Sequence, residues 1–254
     1  MKQTLRHNKI IELVNQLGYV STEELVAQLN VSSQTIRRDL NELAENNLIR
    51  RHHGGAGAPS SSENSDYTER KHFFSQQKEC IGSAVAKMIP NGASLFIDIG
   101  TTPEAVAFAL LSHKNLRIVT NNLNAAHILK EKEDFQITIA GGGLRPDGGI
   151  IGEATVNFIN QFRLDYCILG ISAVELDGSM MDYDYHEVQV KRALMRNARN
   201  VVLVTDHSKF TRNAIVRLGN IREVNYLFTD SQLPLELQQH LNHSDVNVQI
   251  CTRN

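Results

Sequence analysis

The chain has 254 residues, 41% of them hydrophobic, enough to bury a core and compatible with one large α/β domain or two unequal ones. Its 26 Lys and Arg against 28 Asp and Glu leave a formal net charge of −2, which excludes a global attraction to nucleic acid or to an anionic membrane; any such attraction has to be local. No stretch reaches the roughly 18 apolar residues of a membrane span and no signal-peptide core opens the chain, so the sequence reads as cytoplasmic.

Ile10, Ile11, Leu13, Val14 and Leu17 recur at helical spacing, with Gly18 placed to end that helix. Ser21, followed three residues later by Glu24, forms a capping-box signature and starts a second helix that runs to about Leu29. A third helix opens at Ser32, with Ile36, Leu40 and Leu43 on one face. The opposite, solvent-facing side carries Gln34, Arg37, Arg38 and Asn41, side chains that match guanine and adenine edges in a major groove; Ser33 and Thr35 in the first turn complete the candidate DNA-binding set on this helix. Asp39 flanks these residues and is expected to orient an arginine. Next, Leu48 to Arg51 reads as an extended arm and Gly54-Gly55 as a tight turn, so Arg50, Arg51, His52 and His53 would form a basic wing on the phosphate backbone or minor groove. Taken singly, each feature fits a solvated helix or an ordinary hairpin; the capped helix, the amphipathic helix and the wing in that order favour a winged helix-turn-helix over 1–56.

From Gly57 to Asp66 the chain is poor in bulky apolar residues, and 57–69 is expected to be a linker. Residues 70–254 alternate short β-rich runs, "SLFIDI", "LRIVT", "FQITIA", "YCILGI", "VVLV" and "YLFT", with helical patterns, which predicts an α/β domain built on parallel strands. Ligands of such sheets sit at the carboxyl ends of the strands. There the sequence places a phosphate-cradling turn, Gly100, Thr101 and Thr102, before a helix from Pro103 to about Leu111, with Asp98 better suited to a ligand hydroxyl than to a phosphate. Asn121 and Asn122, the glycines Gly141 and Gly142 with Arg145 behind them, and Lys209 meet the same edge, where Arg145 and Lys209 would neutralise a phosphate. Asp182, Asp184 and Glu187 are candidates for hydroxyl binding or interdomain contacts. No catalytic residue, metal site or cofactor is expected: His186, Glu187, Asp206 and His207 form no spaced metal-ligand set. Cys80, Cys167 and Cys251 lie far apart and read as reduced thiols.

The stretch "VSSQTIRRDLNELAENNLIRRHHGGA" resembles the winged-helix signature of the DeoR family of bacterial transcriptional regulators. "FIDIGTT", "TNN", "GGGLR", "GGIIGEAT", "DYHEV" and "DHSKF" resemble successive blocks of its sugar-phosphate-sensing domain, and through the fourth block Gly152 joins the candidate effector residues. The resemblance implies a C-terminal fold shared with ribose-5-phosphate isomerase and CoA transferases, operator DNA as partner, a homo-oligomer (a tetramer), and glycerol 3-phosphate as effector, a molecule with no carbonyl for enediol chemistry. In the related isomerases an Asp-Gly-Ala-Asp block supplies acids just after a strand; here Ser172, Ala173 and Val174 bring no carboxylate. The expected function is a repressor released by that effector. The alternatives are a repressor that answers another phosphorylated sugar or polyol, and a sugar-phosphate isomerase with a DNA-binding appendage.

Overall fold

A computed structural model describes residues 2–17, 19–46, 48–57 and 67–252 of the chain. Gly18 and positions 58–66 of the expected linker lie outside the described residues. The chain divides into two compact units, Met1–Asp66 and Tyr67–Asn254.

In the first unit α1 (Gln3–Leu17) begins well before Ile10. Its polar first turns carry no apolar period, but Arg6 makes a buried two-pronged ion pair with Asp39, one bond 2.8 Å long, and that long-range partner holds them in helix. Strand β1 (Tyr19–Ser21) lies where the sequence suggested only a turn. The capping box holds: Ser21 Oγ accepts from the Glu24 N–H at 3.1 Å, and Glu24 Oε2 accepts from the Ser21 N–H at 2.8 Å, opening α2 (Thr22–Leu29). Asn30, in the left-handed conformation, ends it. Helix α3 (Ser33–Glu45) is capped by Ser32, whose Oγ accepts from the Thr35 N–H at 3.2 Å. Strands β2 (Arg50–His52) and β3 (Gly55–Gly57) form the hairpin, and β1 adds to it antiparallel, Val20 opposite Ala56, in the order β1-β3-β2. Gly55 is dictated by that pairing, since a Cβ there would lie 2.4 Å from the Val20 carbonyl oxygen. Ile10, Val14, Val20, Leu25, Ile36, Leu40, Leu43 and Ile49 fill the core.

The second unit starts with α4 (Tyr67–His72) and α5 (Ser75–Met88) and then enters a seven-stranded sheet. In chain order its strands and helices are β4 (Ser94–Ile97), α6 (Thr101–Ala109), β5 (Arg117–Thr120), α7 (Leu123–Leu129) and β6 (Gln136–Ile139); a hairpin of β7 (Gly143–Leu144) and β8 (Ile150–Ile151) follows. Next come α8 (Glu153–Ile159), β9 (Leu164–Leu169), β10 (Ala173–Val174), β11 (Ser179–Asp182), α9 (Tyr185–Arg196), β12 (Ala198–Val204), β13 (Val216–Asn220), β14 (Tyr226–Thr229), α10 (Leu235–Leu241) and β15 (Asn247–Ile250). The main sheet is ordered β15-β14-β12-β9-β4-β5-β6, and every adjacent pair in it is parallel. All six anticipated runs are strands of it; β15, the hairpin and the small antiparallel sheet β10-β11-β13 were not anticipated.

Alternate residues of each strand feed opposite faces. Leu95 and Ile97 join Ile81, Val85, Val106 and Ile118 on one side, whereas Phe96 joins Cys167, Leu169, Val188 and Leu194 on the other. Both faces are covered, so the strands read as continuous apolar runs. The chain moves outward from β4 to β6 and then returns to place β9 on the other side of β4. The strand order therefore reverses between β4 and β9, and the loops that leave their carboxyl ends, 98–100 and 170–172, diverge around a crevice.

Candidate functional site

On the first unit, α3 exposes Ser33, Gln34, Arg37, Arg38 and Asn41, while Ile36, Leu40 and Leu43 are buried. Among the described residues Arg38 is held by one ion pair, with Glu42 at 3.3 Å, and its side chain is 82% exposed, so little opposes its turning to a base edge. Thr35 is half-buried, with its hydroxyl 2.9 Å from that of Ser32, and serves the cap. An open cleft of about 510 Å³ runs along the start of α3, lined by Gln3, Ser32, Gln34, Thr35 and Arg38.

Two expectations for this face need correction. Asp39 does not orient an arginine of α3: it is buried, pairs with Arg6 of α1, and lies 3.1 Å from His7 Nε2. A carboxylate three residues after Ile36 turns inward with the apolar stripe and needs a buried cation. Arg51 is also engaged within the head and does not project freely from the wing. Its guanidinium folds back to donate to the carbonyls of His52, at 3.0 Å, and Gly55, at 2.5 Å, and to Asn41 Oδ1, at 3.4 Å. It thus pins the wing turn to α3. His53 is exposed and Arg50 and His52 are half-buried, with the His52 ring edge-on to Tyr19.

On the second unit the crevice is built from the bottom by Asp98. Its carboxylate is fully buried; Oδ2 accepts the Gly170 N–H at 3.3 Å across the β4/β9 switch and lies 3.1 Å from Lys191 Nζ. Lys191, on the buried face of α9, also lies 3.1 Å from Asp182 and 3.0 Å from Glu187, and donates to the Gly170 carbonyl at 2.8 Å. One ammonium thus serves three carboxylates. Burial, resisted by Lys191, raises the Asp98 carboxyl above its usual range; burial and the adjacent Asp182 push Glu187 up to about 8; the three carboxylates hold Lys191 protonated. Ser172 donates to Asp182 Oδ1 at 2.7 Å. The turn that seemed to lack an acid therefore receives one from β11, which the sequence could not place there.

Lys191 was missed. It sits four residues after Glu187 and three before Leu194, within the apolar stripe of a helix, and a lysine there is a legible signal of a buried partner.

Gly100 ends the β4 loop with φ +131°, and Thr101 and Thr102 open α6, Thr102 buried. Asn122 caps α7 and reaches back to the Asp98 carbonyl at 3.2 Å; Asn121 donates to the Ile150 carbonyl at 3.1 Å, and its Oδ1, like Asp98 Oδ1, has no hydrogen-bond partner among the described residues. These asparagines tie the β7–β8 hairpin over the end of β4. Gly141 accepts the Thr155 hydroxyl at 2.9 Å; a Cβ on Gly142 would lie 2.1 Å from the same hydroxyl, so packing requires that glycine. Gly152, at φ +111°, precedes α8 with open space beside it.

The two expected phosphate cations part company. Arg145 pairs with Asp184 at 2.6 Å, Asp147 at 3.2 Å and Glu187 at 3.4 Å, so its charge is already met and it is not an available phosphate fork. Asp184 is likewise engaged, capping α9 through the N–H groups of His186, at 2.7 Å, and Glu187, at 3.2 Å. Lys209, in the 3-10 turn His207–Thr211, is different: its backbone N–H donates to the Asp206 carbonyl at 3.1 Å, but its amine makes no hydrogen bond or ion pair with any described residue. Burial pushes its amine well below the usual lysine range, and Arg212, Lys78 and Arg70 push it the same way against Asp206. Burial, resisted by Asp206, also lowers Lys78, to about 8, and burial lowers Arg212. Lys209, Lys78 and Arg212 thus all act on the buried carboxylate of Asp206, with Arg70 opposing Lys209 as well, an arrangement that a dianion would relieve. Lys78, Arg70 and Arg212 were not anticipated, because Lys78 and Lys209 lie 131 positions apart in the chain. Among the described residues no three His, Cys, Asp or Glu side chains are grouped to hold a metal ion, and no helix is long and apolar enough to cross a membrane.

Two known domain families match these units: the DeoR-like helix-turn-helix domain over residues 6–62, and the DeoR C terminal sensor domain over residues 74–231. The chain belongs to the DeoR family. DeoR relatives match it along its whole length. It is 68% identical over 251 residues to the glycerol-3-phosphate regulon repressor of Haemophilus influenzae, covering 99% of this chain and 98% of that one. It is 62% identical over 252 residues to the protein of the same name in Escherichia coli K12, covering 99% and 100%. The HTH-type transcriptional repressor CsqR of Escherichia coli is 43% identical, over 96% of this chain and 94% of its own. Among solved structures, ribose 5-phosphate isomerase A from Neisseria gonorrhoeae aligns over 53% of each chain with a TM-score of 0.39 and 14% identity. The Pyrococcus horikoshii translation initiation factor eIF-2B aligns over 89% of this chain and 82% of its own, with a TM-score of 0.48 and 13% identity. As a DeoR protein the chain is a transcriptional regulator, not an enzyme, with a DNA-binding helix-turn-helix and a sensor domain for a small effector.

Proposed function

We propose that this DeoR protein represses genes of glycerol 3-phosphate metabolism and leaves its operator when glycerol 3-phosphate binds. The observation that carries the reading is end-to-end identity of 62–68% with two relatives named glycerol-3-phosphate regulon repressor. The physical chemistry of the sensor unit supports it. An unpaired Lys209 beside Lys78 and Arg212 suits a phosphate dianion, and the N-terminus of α6 with Thr101 and Thr102 adds amide donors and a favourable dipole. Asp98, with an unpaired buried oxygen, Asn121 and the Ser172–Asp182 pair suit the two hydroxyls of a short polyol. The ligand has no carbonyl, so the carboxylates bind and orient and have no proton to move. On the DNA side, Gln34, Arg37, Arg38 and Asn41 read base edges, while Ser33, Arg50 and His53 take phosphates. A tetrameric, cytoplasmic protein presents such heads in pairs to half-sites about 34 Å apart or at a multiple of that spacing.

Operator binding measured by fluorescence anisotropy with and without glycerol 3-phosphate tests the reading. Affinity should fall roughly 5- to 150-fold with this ligand, and much less with inorganic phosphate or fructose phosphates. An operator affinity indifferent to glycerol 3-phosphate would defeat the effector assignment.

A further inference from the structure

We infer that α4 is a strap held by the same cations that receive the effector's phosphate, so that occupancy of the anion site is passed through α4 to the stretch of chain that precedes Tyr67. The inference rests on the phosphate reading above.

Three side-chain contacts seat α4. Lys78 Nζ, from the first turn of α5, donates to the carbonyls of Arg70, in the last turn of α4, and of Phe73 just beyond it. An ammonium thus supplies the donors that orphan carbonyls at a helix end lack. Arg70 pairs with Asp147 at 3.3 Å, and both side chains are largely buried. Tyr67 donates its hydroxyl to Glu104 Oε2 at 2.8 Å, in the first turn of α6, whose N-terminus faces the proposed phosphate. Burial and Glu104 raise the Tyr67 hydroxyl above its usual pKa, so it stays a donor throughout the physiological range.

Between α4 and α5 the chain turns at Phe74, a non-glycine residue at φ +55°, whose ring stands edge-on to His207 with centroids 4.7 Å apart. His207 opens the turn that carries Lys209. The elbow of the strap therefore rests on the loop that holds the unpaired amine.

Two sets of acceptors compete for these cations. Peptide carbonyls and Asp147 hold Lys78 and Arg70 on the α4 side. A phosphate dianion beside Lys209 is a charged acceptor, stronger than the neutral carbonyls that hold Lys78 and doubly charged against the single charge of Asp147 on Arg70, and draws the same ammonium and guanidinium away. Because α4 is the first described element after that stretch, its loosening is felt where the DNA-binding unit is attached. Linkage then requires that whatever loosens α4 tightens effector binding and weakens operator binding by one common factor.

Tyr67→Phe and Asp147→Asn remove one seat each and leave Lys78, Lys209 and Arg212 in place; because Asp147 also holds Arg145, Tyr67→Phe is the deciding variant. In the full chain, each should weaken operator binding without effector by about 2- to 10-fold, the worth of one lost hydrogen bond, and should tighten glycerol 3-phosphate binding, read by calorimetry, by a similar factor. Unchanged operator and effector affinities in both variants would overturn the strap, and so would a parallel weakening of the two, which is what simple damage to the fold produces. If the unsubstituted chain gives no binding heat with glycerol 3-phosphate, the effector assignment fails by itself. Inorganic phosphate then serves as the probe of the strap, with the same opposed shifts expected and their absence decisive against it.

Discussion

Lys191 shows how one residue sets the character of the sensor crevice. A single ammonium lies within 3.1 Å of Asp98, Asp182 and Glu187, and Glu187, pushed up to about 8 by burial and Asp182 against Lys191 and Arg145, keeps its proton at neutral pH. Between its unfolded value near 4.5 and about 8 the folded protein binds the extra proton. The stability this contributes is complete below the lower value and is lost as pH rises through the upper one. Glu187→Gln mimics the protonated acid and should flatten that fall, so its melting temperature should gain on the wild type between pH 5 and pH 8. A constant offset across the range would place the proton elsewhere. Lys78, lowered to about 8 from 10.5, acts with the opposite sign only above pH 8 and does not disturb the measurement. Lys209→Met removes the unpaired cation. It should cost at least 10-fold in glycerol 3-phosphate affinity, since charge-assisted bonds contribute about 1.5 to 3 kcal/mol, while operator binding without effector stays within about twofold. Loss of operator binding would give Lys209 a structural role instead.

At the scale of elements, the winged head was legible because its signals are local. Ser21 with Glu24 and Ser32 with Thr35 cap their helices through residues three apart, and the apolar period of α3 sorts readers from core in one pass. Strand β1 was not legible, because three residues carry no period and Tyr19–Ser21 is a strand only by pairing with Gly55–Gly57. That pairing makes Gly55→Ala a test of the wing. The added methyl meets the Val20 carbonyl, so the three-stranded sheet should break, and DNA binding should weaken for operator and random DNA alike while the sensor unit keeps its effector affinity. Arg38→Ala should act differently, removing discrimination between operator and random sequence at a cost of about 1 to 3 kcal/mol. Arg51→Ala should resemble Gly55→Ala, because Arg51 pins the wing turn to α3. A selective loss of salt dependence in Arg51→Ala would restore it as a phosphate contact.

At the scale of the molecule, a net charge of −2 leaves DNA binding to a small basic surface, so operator affinity should fall steeply with salt, whereas the anion site, walled by buried cations, should respond far less. Titrations of both ligands between 50 and 200 mM salt, about a decade or more apart in response, check this. By itself the sequence determined the capped helices, the six strand runs of the parallel sheet and the turns that end them. Short-range periodicity and capping chemistry are complete within a few residues, and a parallel sheet covered on both faces writes its strands as plain apolar runs. Only the tertiary structure decided which charges meet. Asp98 and Lys191 are brought together where the strand order reverses between β4 and β9, Arg145 is taken out of the phosphate site by Asp184 and Asp147, and Lys78 is shared between α4 and the cations around Lys209. A buried charge is stable or costly according to the partner the fold delivers, and neighbours in the chain do not name that partner.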